Sequence, residues 1–172
     1  MTASHLVAIA SLLVASAPAG SADDRAALAA LGPLVGTWDA EGGGAPGKGA
    51  AGTVAFVREV GGYAVVRRNT VTYPAAEGRP ASTHEDLLVI YTEGGETKGL
   101  YVDGEGHAIR YAATTAPPRT LVLVSDPGPG PRFRLTHDWS GGTLRIVFEI
   151  APPGAKEFKV YAEWRATRRQ GT

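Results

Sequence analysis

Three stretches near the C-terminal end alternate apolar and polar residues with period two, and that alternation limits the fold more than any other feature. "RFRLTHDW" sets Phe133, Leu135, His137 and Trp139 on one face, against Arg132, Arg134, Thr136 and Asp138 on the other. "TLRIVFEI" does the same with Leu144, Ile146, Phe148 and Ile150, and "EFKVYAEWR" with Phe158, Val160, Ala162 and Trp164. A helix cannot gather such residues on one side, whereas a half-buried antiparallel strand does so directly. The same reading gives about ten strands, near 35–42, 51–60, 63–73, 84–93, 97–103, 107–115, 119–126, 132–139, 143–151 and 156–167.

The connections between these segments set the topology. "VGG", "EGGE", "TAPP" and "SGG" are short and fall at every second junction, while "EGGGAPGKGA" and "PAAEGRPAS" are long and fall between them. In an up-and-down meander, alternate turns lie at opposite ends, so one end is tight and the other carries adaptable loops. Ten consecutive strands with one apolar face leave no exposed edge if they close on themselves. The expected fold class is therefore all-β: an up-and-down antiparallel β-barrel of about ten strands, with a short N-terminal helix from "DDRAALAALGPLVG" closing one end. Asp23 or Asp24 can cap that helix, and Gly32-Pro33 ends it.

Ahead of the helix, "LVAIASLLVASAPAGSA" has the length of an export signal and is too short to span a bilayer, although "MTASH" supplies no basic residue. The expected organisation is a signal peptide over 1–22 and a barrel domain over 23–172, working in a secreted or periplasmic setting. With 17 basic and 17 acidic side chains, the chain carries no electrostatic footprint for nucleic acid. It has no Cys for disulfides or thiol chemistry, and no membrane-spanning run is expected.

"GTW" at the first strand explains why a tryptophan follows so closely on a glycine. Gly36 lets the chain turn under the barrel and Trp38 fills its narrow end. Strands eight and ten run towards the same end, so Trp139 and Trp164 are expected beside Trp38 on the floor, with Arg165 and Arg168 placed to stack on it.

The short helix, "GTW" and an Arg after the last strand together resemble the lipocalin/calycin superfamily. "LVIYTEGGETKGLYVDGEGHAIRY" and "PRFRLTHDW" are similar to stretches of bacterial lipocalin-like proteins of unknown function, over roughly Leu31 to Arg169. The resemblance implies a barrel that accommodates a small apolar molecule; fold by itself does not assign function. Haem-binding barrels with a GxW start place their haem ligand, a histidine, on the C-terminal strand. "KEFKVYAEWRATR" has none, so no haem and no other cofactor is expected.

Among residues that bear chemistry, His84 and His107 open strands at the loop-rich end, whereas His137 lies near the far end of strand eight. Their levels differ by on the order of 13 Å at a strand's rise per residue. One zinc ion cannot span that, and no metal site is expected. His84 and His107 can meet at the mouth with Glu85, Asp86, Asp103, Glu105 or Tyr73, and His137 reads as a hydrogen-bonded core histidine. In "GYAVVRRNTVTY", Tyr63, Arg67, Asn69 and Tyr73 share one phase. If that phase faces inward, Arg67 needs an anionic partner: Glu59, Glu149, Glu163 or the acidic head of a ligand. No phosphate loop or nucleophile elbow is present. The expected function is non-catalytic binding of a small apolar or amphipathic ligand, with Arg67, Asn69, Tyr63, Tyr73, His84, His107 and His137 as candidate contacts. The alternatives are an enzyme with an acid–base His/carboxylate cluster at the mouth, or a solid-core structural or partner-binding module. Oligomeric state is not legible.

Overall fold

The computed structural model describes residues 22–43, 48–117 and 119–170. The expected signal segment lies outside the described residues, apart from Ala22. A helix α1 (Ala22–Ala29) and a 3-10 turn (Gly32–Leu34) precede ten strands. These are β1 (Gly36–Gly43), β2 (Ala51–Glu59), β3 (Ala64–Tyr73), β4 (Ser82–Glu93), β5 (Glu96–Asp103), β6 (Ala108–Ala116), β7 (Thr120–Ser125), β8 (Arg132–Asp138), β9 (Leu144–Ala151) and β10 (Lys159–Arg168). Each pairs antiparallel with its neighbours in sequence, and β1 pairs with β10 from Trp38↔Arg168 to Gly43↔Glu163, which closes the barrel. No helix among the described residues is long and apolar enough to cross a membrane.

The end where β1 begins is sealed. Leu28, Leu31 and Leu34 are fully buried beneath it, each stabilising the fold by roughly 1.5–3 kcal/mol. The helix is tied on from both sides: Thr92 Oγ1 donates to the Asp24 carbonyl at 3.3 Å, and Arg58 Nη2 to the Ala29 carbonyl at 3.2 Å. Trp38 is buried, and its indole N–H donates to the Leu34 carbonyl at 2.9 Å. The Arg168 guanidinium lies 4.3 Å over the Trp38 ring, donates to Val35 O at 2.7 Å and also donates to Pro33 O. Gly36 has φ +132°, and a Cβ there would sit 2.5 Å from Arg168 Nη1. Glycine is required at this position by its backbone conformation, while a Cβ there would only push aside the flexible end of Arg168.

Trp139, just past β8, is buried at this same end. Trp164 is not. Its rung opposes Gly42, near the far end of β1, because β10 descends four more residues to Arg168. That places Trp164 about 13 Å along β10 from the rung of Trp38. Arg165 alternates to the outer face opposite Glu41 and Arg145, and only Arg168 reaches Trp38.

A second departure is local to β10. The register against β9 shifts between Val160 and Ala162, a bulge that leaves Tyr161 over. Alternation is broken there, so Val160 is exposed and Tyr161 turns to the mouth. Phe158 lies outside under Arg132 and Arg134, with their guanidinium carbons 5.0 and 4.6 Å from its ring centre.

Candidate functional site

Above the packed floor the barrel is hollow, with a cavity of about 640 Å³. Its wall has two chemistries. β8, β9 and β10 contribute Phe133, Leu135, Ile146, Phe148, Ala162 and Trp164. Phe133 and Phe148 stack at 5.7 Å, and Tyr73 meets Trp164 edge-on at 6.0 Å. Opposite them, β3, β4 and β5 contribute Arg67, Asn69, His84, Asp86, Tyr101 and Asp103.

Strand register builds the polar stripe. Asn69 pairs directly across from Asp86, and Arg67 lies two residues along on the same face. Arg67, 3% exposed, donates through Nη2 to Asp86 Oδ1. Its Nη1 lies 3.2 Å from His137 Nε2 on β8, which accepts the bond. Asn69 Nδ2 donates to the other Asp86 oxygen at 2.8 Å, and His84 Nε2 approaches that oxygen at 3.4 Å. Burial alone would raise the Asp86 pKa, but Arg67, His84 and Asn69 outweigh it and hold the carboxyl below its usual range. The partner of Arg67 is therefore Asp86, not the expected glutamates. Glu149 and Glu163 are engaged by Arg134 and Arg145 respectively, while Glu59 is exposed at the end of β2.

His137 is completely buried, edge-on to Phe56 at 5.6 Å. Burial, then the Arg67 charge, depresses its pKa well below the ordinary value, so it is neutral and serves Arg67 as an acceptor. It stands behind the cavity surface rather than on it. Tyr63 is also outside the cavity: its φ/ψ of −80°/−5° breaks the extended pattern before β3, and its ring lies under Arg25 of α1 at 5.2 Å. Tyr73 does line the cavity, with a hydroxyl pKa raised by burial and then by neighbouring groups.

At the mouth His84 sits between two acids. Its Nδ1 is 2.9 Å from Glu105, and its Nε2 faces Asp86 and, at 3.3 Å, the Tyr101 hydroxyl. The bond to Asp86 leads in raising the His84 pKa to about 9; burial opposes it and Glu105 assists. His84 is therefore a cation at neutral pH. Tyr101 donates to Asp103 at 3.3 Å, and burial followed by the Asp86 and Asp103 charges raises its pKa, keeping it a hydroxyl. Asp103 accepts the Glu105 and His107 backbone N–H groups, and His107 Nδ1 lies 2.9 Å from it. His107 itself is exposed at the rim.

Among the described residues, His84, Asp103 and Glu105 bring donor atoms within 4.8 Å of one another. A divalent cation there would have to displace the proton that His84 shares with Glu105. Sequence reasoning missed Tyr101 and Tyr161 as lining groups. Tyr101 shares the inward phase of β5 with Asp103 and was legible in principle, whereas Tyr161 depends on the bulge. No protein-family model and no curated protein matches the chain.

Proposed function

We propose that the chain is an exported, lipocalin-like member of the calycin superfamily that holds a small amphipathic molecule in its lumen without transforming it. The carrying observation is the cavity of about 640 Å³ with an aromatic wall facing a polar stripe. That size and mixture suit a drug-sized ligand whose apolar body and polar head point to opposite sides. An interior of this volume argues against a solid-core module. A binding role rather than catalysis is supported by the mutual engagement of the mouth groups: His84 lies between Asp86 and Glu105, and Tyr101 donates to Asp103.

Titration with the uncharged dye Nile red tests the reading. Wild type should bind one dye per chain. Ala162→Phe, which puts a ring into the lumen, should weaken binding by about tenfold or more. Failure to bind, or equal binding by the variant, would overturn lumenal binding. Export rests on the apolar N-terminal run, and the intact mass of periplasmic protein should correspond to a chain starting at Asp23.

A further inference from the structure

We infer, on the strength of that reading, that the lumen selects a ligand of no net charge: a neutral amphiphile whose head is a hydroxyl, carbonyl, ester or amide. The argument is one of charge accounting along the polar stripe. Arg67, Arg79 and His84 line the cavity with three carboxylates, Asp86, Asp103 and Glu105, and His107 stands at the rim 2.9 Å from Asp103.

The two charges deepest in the wall, Arg67 and Asp86, have side chains only 4% exposed and bind each other. Asp86 accepts from Arg67 and Asn69 and faces His84, so an incoming ammonium finds no uncommitted carboxylate at that depth. Arg67 makes one bond from Nη2 to Asp86 and one from Nη1 to His137, and its Nε, which has no partner, is enclosed by protein. A ligand carboxylate brought to Arg67 would therefore meet the Asp86 carboxylate as well, and the positive charge that an acidic head would need is already balanced. Burying an unpaired charge is costly, while a neutral head can use the Asn and Tyr dipoles of the stripe without that cost. The opposite wall adds mainly apolar and aromatic surface for the ligand's body.

Competition at neutral pH against lumen-bound Nile red tests the inference, using decanol, decanoate and decylammonium. Decanol should displace the dye at a concentration at least about tenfold lower than either ion, with the ions within about threefold of each other. Any apolar pocket favours the alcohol to some degree, so the symmetry between the two ions is what reports a neutralised pair. Preference for one ion over the other by about tenfold, or no difference among the three competitors, overturns the inference. In Asp86→Asn, Arg67 loses its counter-charge, and decanoate should gain about tenfold relative to decanol. An unchanged ranking in a folded Asp86→Asn also overturns it. If that variant does not fold, the wild-type ranking decides. Nile red failing to enter the wild-type lumen removes the proposed function itself, and this inference with it, a result distinct from a wrong ranking.

Discussion

Arg168 and Arg67 both point inward, one at the sealed end and one beside the cavity, and they are used in opposite ways. Arg168 covers Trp38 and donates to the Pro33 and Val35 carbonyls, so its hydrogen-bond partners are main chain and cannot be mutated away or titrated. Arg67 donates only to side chains, Asp86 on β4 and His137 on β8. The first arrangement is a latch that joins the last strand to the segment before the first. The second is an adjustable set of charges whose balance depends on side-chain identity and pH. Sealing an end uses up polar groups on the backbone; a binding lumen keeps them on side chains facing its contents.

The strongest way to break this comparison is to remove the lumenal arginine. Arg67→Met leaves the buried Asp86 carboxylate with only His84 and Asn69 as partners and should cost about 3–5 kcal/mol in urea unfolding. Arg67→Met/Asp86→Leu removes both charges and should recover most of the loss, because desolvating the pair already offsets much of its attraction. A single-variant cost no larger than that of Arg168→Ala would mean that the two ends do not differ in kind.

The next effect is pH dependence at the mouth. The His84 pKa is raised to about 9 by Asp86 and Glu105, above an unfolded value near 6.5. Its stabilisation is therefore complete below pH about 6.5 and is lost as pH rises through about 9. Solvent reaches Glu105, which is half exposed, so the loss should be about 1–2 kcal/mol. Urea midpoints measured from pH 6 to pH 10 should fall across that window in wild type and stay flatter in His84→Gln. The sealed end contributes no comparable slope there, since its bonds run from an arginine and an indole to carbonyls.

Smaller again is the latch. Arg168 is exposed, so Arg168→Ala should cost about 1 kcal/mol, combining its stacking on Trp38 with bonds largely replaceable by water. Nile red affinity should not change, and a change would mean that the floor and the lumen are coupled.

The sealed end was the more legible of the two in the sequence. Gly36, Trp38 and Arg168 stand at the ends of the first and last strands, where closure fixes their level without detailed register. Period two also put Arg67, Asn69 and Tyr73 in one phase of β3, and the structure turns that phase inward. The partner of Arg67 was hidden because Asn69 meets Asp86 only if the β3–β4 loop holds the register Tyr73↔Ser82. One residue's slip would turn Asp86 outward. Phe158, Val160 and Tyr161 were misplaced for a related reason: a bulge adds one residue, and alternation carries no mark of it.

Trp164 offers the finest test of which end a residue belongs to. It lines the cavity, whereas Trp38 and Trp139 are 3% and 5% exposed within the packed end. Filling the lumen should therefore perturb one indole of the three. Trp164→Phe should abolish the ligand-induced change in tryptophan emission, while Trp38→Phe and Trp139→Phe should retain it. One side of the Trp164 ring faces the void, so truncation loses little packing and should cost under about 1 kcal/mol. Trp38→Phe should cost more, about 2 kcal/mol, because it forfeits the bond to Leu34 O and weakens the stacking under Arg168. An emission change surviving in Trp164→Phe and vanishing in Trp38→Phe would put the ligand at the wrong end of the barrel.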